Sequence, residues 1–310
     1  MKTRATTLLA LSILASACDA SPVPEGPTPG RPSFDGQSAL ALIETQLAFG
    51  PRVPGMPGHE AQSAWMIARM DSLAGELVVD SFTHAATDGT DLQLVNVLGR
   101  FRPSEKRRIL LLAHWDTRPR SDADPDSSRH RIPVPGANDG ASGTAVLLEL
   151  AGMLATSPPP MGVDILLVDG EDYGPGLEDM LLGSRRYAGA LPEEGRPIYG
   201  VLLDMVGDAE PLFPFEANSA QYASIVVQRI QRSAARLGYE AYFPQNVVSA
   251  LTDDHIPLIE AGLPTADIVD FRYGPGNRYW HTPEDNLEHV SAATLEMVGE
   301  VIAELIYSGG

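Results

Sequence analysis

Cysteine is all but missing from this 310-residue chain: there is one, Cys18, near the start. No disulfide can form within a single chain, so the core must be stable without one. Basic residues are scarce as well, 22 Lys and Arg against 41 Asp and Glu, for a formal charge of -19. A surface of that sign repels phosphate backbones and anionic lipid heads, which sets nucleic acid aside as a partner. Histidines number only seven. Past the N-terminus no segment has the ~20 uninterrupted apolar residues of a membrane span. What is plentiful is apolar or acidic. The 44% hydrophobic content is enough for a full core, and the surplus carboxylates leave some free to bind a hard or borderline cation.

The first residues, "MKTRATTLLALSILASACDA", have a basic start, an apolar run of signal length and small residues at its end. Cys18 follows Ala15, Ser16 and Ala17, and this stretch resembles the lipobox of bacterial lipoproteins, with Ala15 where Leu is usual. Residues 1–22 therefore read as a signal peptide with a lipoprotein cysteine. The expected location is the periplasm or cell envelope, with the membrane touched only through the lipid anchor. Residues 23–35, rich in Pro and Gly, read as an extended tether. Residues 36–310 read as one catalytic domain, expected to be monomeric.

Within that domain, helical periodicity covers residues 39–49 up to the terminator Gly50-Pro51, and a second helix runs around Trp65 to Met70. Short apolar runs then alternate with helical ones. "ELVVDSF", "LQLVNVLG", "RRILLLAH", "GVDILLVDG", "PIYGVLLDM" and "TADIVDF" predict strands buried on both faces. "SGTAVLLELAGML", "QYASIVVQRIQRSAARLG" and residues 292–307 predict helices. Such alternation implies an α/β domain with a mixed, mostly parallel central sheet sandwiched between helices.

Open parallel sheets bind ligands at the carboxyl ends of their strands. The third predicted strand ends at His114, with Asp116 just beyond. The fourth runs into Asp169, Glu171 and Asp172, and the fifth ends at Asp204. "GANDGASG" adds Asp139 in a turn opening a helix, with Ser142 as its cap, and a late loop brings His281. So many acidic and imidazole groups at one rim would repel unless a cation sat among them. Carboxylate and imidazole without thiolate suit zinc, with manganese or cobalt as rivals. A catalytic zinc takes three protein ligands and keeps one position open, and Asp139, Asp172 and His281 can supply the three. His114 and Asp204 can hold a second ion bridged by Asp139. Asp116 is placed to orient His114, and Glu171, beside a ligand, to act as general acid or base.

The blocks "AHWDTRP", "GANDGASG", "VDGEDYG", "LLDMVGD", "TDDHIPLIEAGLP" and "YWHTPEDN" together resemble the zinc-dependent aminopeptidase superfamily over roughly residues 36–310. More narrowly they resemble its glutaminyl-peptide cyclotransferase branch. The resemblance implies one tight zinc at Asp139, Asp172 and His281, with a second at His114 and Asp204 in the aminopeptidases. It implies Glu171 as acid/base and Asp204 and Asp253 as supporting acids that steady the reacting centre. Glu171-Asp172 stands where aminopeptidases carry paired Glu. Trp280 stands where cyclases wall the substrate pocket and aminopeptidases more often have Tyr. The implied reaction converts N-terminal Gln of peptides or proteins to pyroglutamate with release of ammonia. The alternatives are hydrolysis of N-terminal residues and a non-catalytic surface-anchored binding module.

Other features have plainer readings. His255 reads as structural, and His59, His84, His130 and His289 as surface groups. "TRPRSDADPDSSRHR" reads as a segment that edges the pocket or, for most of its length, as a solvated loop, while Tyr173 and Tyr279 read as cleft-lining or packing residues.

Overall fold

The computed structural model describes residues 26–310; the signal and lipoprotein features lie outside the described residues. Six strands, β1 (Glu76–Ala85), β2 (Asp91–Phe101), β3 (Arg108–His114), β4 (Gly162–Val168), β5 (Gly200–Asp204) and β6 (Thr265–Val269), form one sheet. Their order is β1-β2-β4-β3-β5-β6. β4, β3, β5 and β6 are mutually parallel, while β2 joins β4 and β1 joins β2 antiparallel. The mixed sheet between helices matches the expectation from sequence.

β3 and β4 are buried at every position, as the apolar runs 109–113 and 165–168 require, and the buried Arg108 and Asp164 pair with each other at 3.0 Å. One face, through Ile109, Leu111, Val163, Ile165, Val201 and Ile268, packs on the major helical layer. That layer holds α1 (Gly36–Ala48), α2 (Pro57–Leu73), α3 (Ala141–Thr156), α6 (Ser224–Leu237) and α8 (Ala292–Tyr307). The other face, through Leu110, Leu112, Leu166 and Leu202, meets the short α4 (Leu182–Ala188) and α7 (His255–Glu260). α3 is the central helix. A Cβ at its Gly143 would come 2.1 Å from the carbonyl oxygen of Leu203, so only glycine lets it lie directly on β5.

Three expectations are corrected. "ELVVDSF" is not buried on both faces: it lies in the edge strand β1, where Val78 and Val79 are exposed. The stretch 221–238 is not one helix. α5 (Ala217–Tyr222) ends at Ala223, whose non-helical backbone turns the chain into α6. Ser142 does not cap α3, which starts after Gly140; its hydroxyl donates to the carbonyl of Asn138 and accepts from the N–H of Val206.

The Pro/Gly-rich segment is fastened from residue 26 onward. Thr28 donates its N–H and hydroxyl to Glu304 on α8, at 2.9 and 2.7 Å. Arg31 pairs with Glu300 and Glu304, and Phe34 is buried in the core. Asp35 then caps α1 by accepting from the N–H groups of Gln37 and Ser38.

Candidate metal centre

The carboxyl ends of β3, β4 and β5 and the turn before α3 converge on one buried acidic hollow. His114 ends β3, Glu171 and Asp172 follow β4, Asp204 ends β5, and Asp139 precedes Gly140, whose φ of 93° makes the turn into α3. His281 comes from the loop before α8, with φ of 53°, a left-handed backbone uncommon outside glycine. Strained residues of this kind persist where their surroundings hold them, and they cluster at functional sites.

Two triads share Asp139, and within each the donor atoms lie within 4.8 Å of one another. His281 Nε2 is 3.3 Å from Asp172 and 3.5 Å from Asp139. His114 Nε2 is 3.1 Å from Asp139 and 3.2 Å from Asp204. All these side chains are largely buried, Asp204 being the most open at 13%. Glu171 Oε2 lies 4.0 Å from His114 Nδ1. Burial first and the neighbouring charge of Asp172 second push the Glu171 carboxyl well above its usual range. Burial acts the same way on Asp172, but His281 and Arg118 outweigh it and hold that carboxyl at about 2. The buried imidazole–carboxylate triads, with no thiolate, fit a zinc-type ion.

The structure thus brings together Asp139, Asp172, His281, His114, Asp204 and Glu171. Asp253 belongs to an adjoining buried group, and burial followed by the charge of Asp204 pushes its carboxyl up to about 7. Trp280 stacks on the His281 ring with centroids 3.7 Å apart and meets Phe271 edge-on at 5.0 Å. Tyr279 lies edge-on to Tyr273, and the Tyr173 hydroxyl donates to Asp88. Asp116 does not hydrogen-bond His114, being 3.6 Å away. Its two oxygens instead accept the N–H groups of Glu171 and Asp172, each at 3.1 Å, and so fix the turn that carries them.

Several residues here escaped sequence reasoning. Asp285, within the quoted "HTPEDN", accepts the N–H groups of Asn138 and Asp139 and the hydroxyl of Tyr273. Arg118, in a segment read as edging the pocket but given no role of its own, is buried and donates to Asp172 Oδ1 at 2.6 Å and to both oxygens of Asp122 at 2.8 Å. The fully buried Arg52 donates to the carbonyls of Pro135 and Gly136, bracing the turn before Asp139. Their spacing signalled nothing, because each acts on a segment distant in sequence.

The four histidines read as surface groups all have partners. His59 is buried, pairs with Asp169 at 2.9 Å and stacks on Trp115 at 4.4 Å. His84 pairs with Asp179, His130 with the carbonyl of Asp124, and His289 stacks on Tyr279.

Comparison with known proteins places this arrangement. Aminopeptidase YwaD of Bacillus subtilis is 29% identical over 288 residues, 88% of this chain, which spans 57% of that relative's length. The glutaminyl cyclase of Tannerella forsythia superposes with a TM-score of 0.86 at 37% identity, covering 90% of this chain and 100% of that one. A Zn-dependent exopeptidase from Parabacteroides distasonis superposes with a TM-score of 0.85 at 37% identity, covering 90% and 99%. The model of peptidase family M28 matches residues 96–306, more than half of the sequence. The chain belongs to peptidase family M28.

Proposed function

We propose that this protein is a zinc-dependent glutaminyl-peptide cyclotransferase acting on peptide or protein N-termini. The observation that carries the reading is the aromatic wall of Trp280, laid flat on His281 and buttressed by Phe271, beside a buried carboxyl with a raised pKa. Asp139, Asp172 and His281 would hold zinc, which would supply Lewis acidity toward a substrate carbonyl oxygen.

The protein's own groups do the rest. The wall of Trp280 positions a planar side-chain amide against the ligand set. An α-amine has a pKa of about 8, so at neutral pH a proton must leave before its nitrogen attacks. Glu171 accepts that proton. The amine nitrogen bonds to the side-chain amide carbon, the carbon–nitrogen bond to the amide breaks, and Glu171 returns a proton to the departing ammonia. Asp253 and Asp204 steady the reacting centre by hydrogen bonding. The chain is further inferred to be exported and held to a membrane through Cys18, since its first residues have signal and lipobox character.

One observation favours a second reading. His114, Asp139 and Asp204 form a further triad that can hold a second ion sharing Asp139, as a two-ion aminopeptidase requires. A paired assay separates the readings: ammonia release from Gln-peptides against release of free amino acids from unblocked peptides. Ammonia without amino-acid release supports the cyclase. Amino-acid release with no ammonia replaces it with the peptidase.

A further inference from the structure

A second convergence of buried donors lies beside the hollow. Asp253 and His255 stand at the start of α7 and Asp267 stands within β6, each offering an atom within 4.8 Å of the others. Glu216, which caps α5, fixes the imidazole. Its carboxylate already accepts the N–H groups of Asn218, Ser219 and Leu251, and its Oε2 lies 3.2 Å from His255 Nε2. Glu216 thus holds the ring by its Nε2 edge.

The ring's other nitrogen, Nδ1, is not held by Glu216. It is buried with no hydrogen-bond partner and faces Asp267 Oδ2 at 3.9 Å. Neither oxygen of Asp267 has a hydrogen-bond partner, though its side chain is 0% exposed. Asp267 also borders an apolar crevice lined by Phe213, Phe215 and Phe243, which offers it no compensation. That separation of 3.9 Å is too long for a hydrogen bond. It is a fitting separation for two ligands of one metal ion.

We propose that Asp253, His255 and Asp267 form a divalent-cation site separate from the one at Asp139, holding the Asp253 carboxylate in place from behind. One imidazole and two carboxylates suit zinc or manganese. The site stands whether the reaction is cyclisation or hydrolysis.

The test is anomalous diffraction from crystals of the mature protein grown with Zn2+ and, separately, with Mn2+, measured at each metal's absorption edge. The expected map has a peak ~2.0–2.2 Å from His255 Nδ1 and from oxygens of Asp253 and Asp267, apart from any peak at Asp139. A map empty at this triad with both metals overturns the proposal, whatever stands at Asp139. Asp267→Asn gives a solution check by plasma mass spectrometry. It should lose one equivalent of metal relative to wild type while keeping the ion at Asp139, and unchanged metal content overturns the assignment. If that variant fails to fold, the wild-type map decides alone.

Discussion

Glu171→Gln should move activity and stability in opposite directions. The amide is nearly isosteric with the carboxylate but cannot take up a proton. Loss of a positioned proton carrier costs about 10²–10⁴-fold in rate. That corresponds to about 2.7–5.4 kcal/mol of transition-state stabilisation at ~1.36 kcal/mol per tenfold. The stability effect follows from where the side chain sits. Burial and the charge of Asp172 raise the Glu171 carboxyl well above 4.5 in the folded protein. A carboxyl raised on folding opposes folding at any pH above its unfolded value, because the unfolded chain ionises it more readily. Removing it from metal-free protein should leave the melting temperature at pH 7 unchanged or higher. The assay pairs kcat on a Gln-dipeptide with calorimetry of the chelated protein and zinc content of the loaded one. Turnover within about threefold of wild type would refute Glu171 as the proton carrier. A lower melting temperature would refute the electrostatic account, leaving the carboxylate as a structural anchor of its turn.

Asp139→Ala removes the residue common to both triads and should empty the centre, so zinc occupancy equal to wild type by plasma mass spectrometry would sink the ligand assignment. Trp280→Ala gives up two aromatic pairs, about 1–3 kcal/mol together. Its cyclisation kcat/KM should fall well before zinc content does, whereas parallel loss of metal and fold would mean that the ring serves only to hold His281. Burial alone would raise Glu304, but bonds from Thr28 and Arg236 outweigh it and hold the carboxyl below 4.5. A pKa depressed on folding gives stability that is full above the unfolded value and is lost as pH falls through the folded one, so melting temperature should drop below pH ~4.5 more steeply in wild type than in Glu304→Gln. Cys18→Ala should shift the protein from the membrane pellet to the soluble fraction, and an unchanged pellet would argue against lipid anchoring there.

The parts of the fold that showed in the sequence are those where one segment's pattern determines its own burial. The apolar runs 109–113 of β3 and 165–168 of β4 exist because both faces of the sheet are covered there, and His114 at the end of β3 and Glu171 and Asp172 just after β4 enter the hollow. β1 carries Glu76, Asp80 and Ser81 among its apolar residues and lies at the edge, where such polar residues are tolerated. α4 and α7 are too short to show a period. At the site, residues at strand ends were legible because the strand aims them. Arg118, Asp285 and His59 were not, because each reaches across the fold to a partner between 54 and 147 positions away. For His59 the misreading was complete: its surroundings in sequence are polar, yet Asp169 and Trp115 enclose it.

The fastening of residue 28 to α8 has a consequence for orientation. Glu304 lies one turn from the end of α8, and Arg107 donates to the carbonyl of Gly309 just past that end. Gly310 lies against Met161 and Tyr199, which immediately precede β4 and β5. That end of α8 therefore sits where the strands begin, while His114, Asp172 and Asp204 gather where they finish. Gly26, bonded to the carbonyl of Arg236 next to Glu304, marks the exit of the chain at the same pole. A pull applied upstream of residue 26 therefore acts at the end of the sheet opposite the acidic hollow, not on the rim that carries His114, Asp172 and Asp204.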